Sequence, residues 1–329
     1  MRNLAAAPLI EIEGFPAPMG AEARWLEAAD GARLRVVCWR PEPAHIENCR
    51  GTVFLFGGRT EFAEKYFEVI GELIGRGFAV ATMDWRGQGL SARPLDDPRK
   101  GHIDDFSTFD RDLELFMADI APSFPKPWLG MAHSMGGNIL LRAVHDHPDW
   151  FSGAVFSAPM LGLRLGNALN VVLAALLAYG GGALGLGTRY IPGGGPAAAD
   201  EEAFDDNIVT SDERHHEIHQ ALIRANPALG LGAATFGWVR AAMRSIKTTE
   251  RPNYLGEIRV PVLIAQATKD QLIEGDALQH AAKHIPGADF MRVEGSQHEI
   301  LMERDALRAV FWQAFDRFVE KVAPRNSQA

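Results

Sequence analysis

The sequence predicts an α/β fold, with a mostly parallel central sheet, helices on both faces and an inserted helical cap. Short apolar runs alternate with amphipathic helical stretches through the first half and again near the C-terminus, the pattern of parallel strands joined by crossover helices. That alternation stops over residues 160–256. One serine, Ser134, sits on a glycine-rich turn between a predicted strand and the helix after it.

The run RWLEAADGARLRVVCWR at 24–40 predicts two antiparallel strands turning at Asp30-Gly31. TVFLFGG at 52–58 reads as a strand and EFAEKYFEVIGELIGRG at 61–77 as a helix stopped by glycine. FAVATMDW at 78–85 is a strand, and FDRDLELFMADI at 109–120 a helix. PWLGMAH at 127–133, GGNILLRAVHDH at 136–147 and GAVFSAP at 153–159 give strand, helix and strand. The unit returns with VPVLIAQA at 260–267, GDALQHAAKHI, ADFMRVEG and a last helix starting near Arg304. The domain expectation is therefore a core made of 1–159 and 257–329, with 160–256 as a helical lid.

With 329 residues, 47% of them hydrophobic and 23% charged, the chain can bury a sizeable core. A net charge of -9 without a dense basic cluster argues against a nucleic-acid partner. Cys38 and Cys49 form no CxxC and no metal spacing, which fits free thiols in a reducing, cytoplasmic setting. No export signal is expected, because Glu11 and Glu13 interrupt the early apolar stretch. Residues 168–187 carry no charge and reach the length of a membrane span, but five of them are glycine, and the predicted sheet resumes afterwards.

Ala132-His133-Ser134-Met135-Gly136-Gly137 fits a sharp strand-to-helix turn that presents a serine hydroxyl. Ala132 and Gly136 supply the small residues such a turn needs, although the first position is Ala where Gly is usual. A serine needs a base, and the base an orienting acid, in the chain order Ser, Asp, His. His298 follows the last predicted strand and precedes the final helix; Asp270 follows the strand before it, 28 residues earlier. An acid one strand sooner has no candidate, since 157–199 contain no Asp or Glu. Two backbone N–H groups for an oxyanion are expected from Met135 and, in the loop FGGRTE, from Arg59. His215, His216 and His219 read as a solvated helix face, with no third metal ligand; no cofactor and no metal are expected.

With these residues in place, the chain resembles the lysophospholipase and monoacylglycerol lipase branch of the α/β-hydrolases. The resemblance runs over 52–319 through GGRTEFAEKY, MDWRGQGLS, AHSMGG, SAPM, TKDQLI and GSQHEIL, in that order. It implies hydrolysis of a single-chain lipid ester, with Ser134 attacking the acyl carbonyl, His298 shuttling the proton and the stretch 168–187 lining an acyl tunnel. It further implies peripheral contact of the cap with the inner face of a membrane. A small ester, lactone or peptide substrate remains open, as does a ligand-binding module with little turnover. Oligomeric state is not legible.

Overall fold

The computed structural model describes residues 5–164, 185–197 and 203–325. The expected hairpin forms as β1 (Ala21–Glu27) and β2 (Arg33–Trp39), paired antiparallel. Six further strands follow: β3 (Gly51–Phe56), β4 (Phe78–Met83), β5 (Trp128–His133), β6 (Gly153–Ser157), β7 (Val262–Ala267) and β8 (Asp289–Val293). Among the described residues they join in one sheet in the order β1-β2-β4-β3-β5-β6-β7-β8, parallel from β4 onward. β3 has β4 on one side and β5 on the other, so the chain reverses its direction of travel across the sheet there. Ligands of open parallel sheets bind beyond the C-terminal strand ends at such a reversal.

Strand alternation sorts the core into two layers. In β3, Phe54 and Phe56 point to one face and Val53 and Leu55 to the other, and all four are fully buried. The first face is covered by α2 (Ser107–Asp119), through Phe109, Leu113 and Phe116, and by α3 (Ser134–Asp146), through Ile139, Leu140 and Val144. The second is covered by α1 (Phe67–Gly75), through Val69, Ile70 and Leu73, and by a C-terminal helix at Asp305–Val322. That last helix buries Phe311, Phe315, Phe318 and Val319, spaced as one helical stripe; each ring contributes roughly 1.5–3 kcal/mol of apolar burial.

Between β6 and β7 the described residues include three α-helices, joined by turns and irregular segments. α4 (Glu213–Ala225) starts at Asp212, whose carboxylate accepts the His215 N–H, and α5 (Phe236–Thr249) starts at Thr235, which accepts the Trp238 N–H. α6 (Pro252–Glu257) then leads to β7, and α7 (Gly275–His284) joins β7 to β8; the C-terminal helix is α8. Asn138 of α3 ties α5 down: its amide donates to Thr249 Oγ1 at 3.1 Å and accepts from Ser245 Oγ at 2.5 Å. The uncharged stretch 168–187 lies outside the described residues except for 185–187. Among the described residues, no helix is long and apolar enough to cross a membrane.

One expectation is corrected here. His215, His216 and His219 are all buried, because α4 packs onto the segment before α1. His215 pairs with Glu68 at 2.6 Å, and the His219 ring lies 5.4 Å from that of Phe62. The spacing signal was sound for a helix but silent about which of its faces turns inward.

Candidate active site

β5 runs into α3 with no intervening loop, and Ser134 takes φ 49, a left-handed backbone that L-residues avoid. The turn holds because the residue two further on has no side chain: a Cβ on Gly136 would stand 2.4 Å from the Gly57 carbonyl oxygen. Ala132, at the other tight position, fits and is fully buried.

The three residues expected to act together meet. Ser134 Oγ lies 2.9 Å from His298 Nε2, and His298 Nδ1 lies 2.7 Å from Asp270 Oδ2. The second Asp270 oxygen accepts the N–H groups of Leu272 at 2.8 Å and Ile273 at 3.0 Å. Burial alone would raise the Asp270 pKa. The hydrogen bond and charge of His298, with the two backbone donors, outweigh it and hold the carboxyl below its ordinary value. Asp270 is therefore a carboxylate aimed at the ring nitrogen opposite the serine, which orients the imidazole with its free lone pair toward Ser134.

Arg59 and Met135 line the same cavity as Ser134, on the two adjacent strand ends. Met135 is in the first turn of α3, where an N–H has no carbonyl one turn behind it to bond. The loop carrying Arg59 is pinned on several sides. Trp85 Nε1 donates to the Gly57 carbonyl at 2.9 Å, Gln88 Nε2 donates to the Gly58 carbonyl at 2.6 Å, and the Gly58 N–H donates to Glu61. Glu61 also accepts Tyr66 Oη–H at 2.5 Å and faces the Lys65 ammonium at 2.9 Å. Burial works against its charge, but Lys65, His133 and these hydrogen bonds bring the Glu61 pKa to about 2. Sequence reading passed over Glu61 and Lys65, placed in a helix over 61–77, and Gln88, placed in a turn, since polar residues in either setting read as solvated. The signal was their place beside the glycines.

Glu61, His133 and Glu299 form the candidate metal cluster among the described residues. Lys65 already answers it, with Glu299 2.5 Å from the ammonium and Glu61 on the other side. The cavity over Ser134 measures about 300 Å3 and has an apolar wall of Met160, Leu163, Val209, Trp238, Leu272 and Ile273. A larger cleft of about 440 Å3 at Arg50 and Gly77 lies at the opposite strand ends and holds neither Ser nor His. The His298 loop is stitched to the segment 207–211: the Glu299 N–H donates to the Val209 carbonyl at 2.7 Å, and Thr210 Oγ1–H to the Met302 carbonyl at 2.7 Å. Glu303 closes the joint by accepting the Gln297 N–H at 2.7 Å and the Ser211 N–H at 3.3 Å.

Residues 47–305 match the family described as serine aminopeptidase, S33. A probable lysophospholipase L2 of Haemophilus influenzae is 29% identical over 271 residues, covering 82% of this chain and 84% of its own. The monoacylglycerol lipase of Mycolicibacterium smegmatis is 25% identical, over 83% of this chain and 88% of its own. A soluble variant of monoglyceride lipase from Saccharomyces cerevisiae superposes with a TM-score of 0.69 at 20% identity, covering 92% of this chain and 97% of that one. With its family match spanning most of the chain, this protein belongs to the S33 family of α/β-hydrolases.

Proposed function

We propose that this protein is a carboxylic ester hydrolase acting on single-chain lipid esters, lysophospholipids or monoacylglycerols, through Ser134, His298 and Asp270. The observation that carries the reading is the continuous Ser134–His298–Asp270 hydrogen-bonded relay at the floor of a half-apolar cavity. His298 takes the Ser134 proton as Oγ attacks the acyl carbonyl. The developing oxyanion is met by the Arg59 and Met135 N–H groups. As the intermediate collapses, His298 gives the proton to the alcohol leaving group, and an acyl-enzyme remains. Water, deprotonated by the same imidazole, then releases the fatty acid and restores Ser134.

In this reading residues 160–256 are the cap over a core of 1–159 and 257–329, and the acyl chain lies along Met160, Leu163 and Trp238. The names of the relatives support the lipid ester. The family's description invites peptide cleavage at a free N-terminus. That chemistry needs an unengaged carboxylate for the substrate ammonium, and Glu61 and Glu299 are both held by Lys65. Free Cys38 and Cys49 support a cytoplasmic setting, and the cap is the part to touch a membrane surface.

A hydrolysis panel of lysophospholipids, monoacylglycerols, short nitrophenyl esters and aminoacyl nitroanilides, run on wild type and Ser134→Ala, tests this. Lipid esters are expected to be cleaved and the variant to fall by on the order of 10^4-fold or more. Equal rates for the two proteins, or a nitroanilide preference, overturn it.

A further inference from the structure

Two arginines that line the Ser134 cavity have side chains without a role in the reaction as proposed. Arg59 and Arg164 both line it, and among the described residues neither forms an ion pair with a carboxylate. Arg164 is exposed and Arg59 half-buried, and several well-covered arginines elsewhere carry carboxylate partners. Arg35 is paired with Glu64 and Asp84, Arg50 with Glu320, Arg86 with Asp112, and Arg308 with Glu72. Arg93 lacks a carboxylate but spends its donors on the Gly87, Gly89 and Ala228 carbonyls.

Arg59 has one such bond, Nη2 to the Gly232 carbonyl at 2.7 Å, while its Nε is buried with no partner. The guanidinium lies 5.3 Å from the Trp238 ring centre, which fixes its plane without neutralising it. Burial lowers its pKa to about 10, so it is still a cation at neutral pH. The acids nearest the cavity do not answer it: Glu61 and Glu299 flank Lys65, and Asp270 is turned to His298. An uncompensated cation taken out of water is costly, and the cost is recovered when an anion arrives.

We propose that Arg59 and Arg164 bind the anionic head group of the substrate, a phosphodiester carried one glycerol unit away from the scissile ester, and so make the site select lysophospholipids over monoacylglycerols. The inference rests on the ester-hydrolase reading and deepens it. The planar fork of arginine suits a phosphodiester, which offers two unbonded oxygens to paired N–H donors. The Arg59 backbone serves the oxyanion while its side chain serves the head group, so attack and recognition are coupled through one residue.

The test compares octanoyl lysophosphatidylglycerol with octanoylglycerol, both kept monomeric, on wild type, Arg164→Gln and Arg59→Gln. Wild type is expected to favour the phospholipid in kcat/KM by about tenfold or more, and each variant to lower that ratio by about tenfold, with Arg164→Lys intermediate. A ratio near one in wild type, or both substrates falling in parallel in the variants, overturns the proposal while leaving ester hydrolysis intact. If wild type cleaves neither lipid, it is the ester-hydrolase reading itself that fails.

A competition on wild type alone needs no variant to fold. Glycerol 3-phosphate is expected to inhibit nitrophenyl ester cleavage at about tenfold or more lower concentration than glycerol, and the inhibition to weaken with salt. Inorganic phosphate inhibiting as well as glycerol 3-phosphate would mark a general anion site and overturn head-group recognition.

Discussion

At the scale of single residues, Asp270 makes the sharpest prediction. Its carboxylate holds His298 in one tautomer, and an amide cannot do so, because the Nδ1–H then meets a donor or a weaker acceptor. Asp270→Asn is expected to lower kcat by on the order of 10^3–10^4 with the fold retained; a loss of under about tenfold would remove Asp270 from the relay. Ser134, Asp270 and His298 were legible because each is punctuation, a polar residue shortly past the end of a strand. Glu61 and Lys65 were not. A carboxylate and an ammonium four residues apart look like the solvated face of the helix expected over 61–77, and only the sheet behind them shows that water is excluded. Arg59 was read for its backbone alone, since nothing in FGGRTE says that its side chain will lie under a tryptophan.

At the scale of elements, the strands and crossover helices were legible from period and length, and the structure moves most of their ends by a few residues, although the helix expected from 61 starts only at Phe67. What the pattern hid is how the antiparallel hairpin is joined to the site. In RLRVVCW the arginine at 35 looks like an outward residue of an edge hairpin, yet it is fully buried. Its Nε donates to Asp84 at 2.8 Å and its Nη2 to Glu64 at 2.6 Å. Asp84, just past β4, also accepts the N–H groups of Ala63 and Leu90 at 2.9 and 2.7 Å, so β2, β4 and the loop after β3 share one buried ionic knot. Arg35→Met leaves two buried carboxylates without their cation. It is expected to cost about 3–5 kcal/mol in urea unfolding, and a cost below about 1 kcal/mol would show that the knot is dispensable.

For the whole molecule, the buried histidines contribute to the response to acid, beside carboxyls such as Glu61 and Asp270 whose pKa is lowered. Burial, followed by the charge of Lys65, lowers the His219 pKa to about 3, and its Nε2 has no hydrogen-bond partner. An unfolded histidine titrates near ~6.5. Between those two values the unfolded chain holds a proton that the folded chain refuses, so stability is complete above about 6.5 and drains away as pH falls toward about 3, by up to about 1.4 kcal/mol per pH unit. His102 and His133 are lowered by burial as well and add to the same slope. The wild-type melting temperature is expected to drop between pH 7 and pH 5, and His219→Phe to drop less; identical slopes would place the acid sensitivity elsewhere. Residues 160–256 were the least legible part of the chain, because the helices there are specified by what they cover. The joint between 207–211 and the His298 loop gives that cover a further meaning. The segment 207–211, whose Val209 lines the cavity over Ser134, also braces the loop of His298, so the two form one mechanical unit. A designer grafting a foreign cover onto this sheet to change its diet must bring 207–211 along or rebuild the brace from new parts.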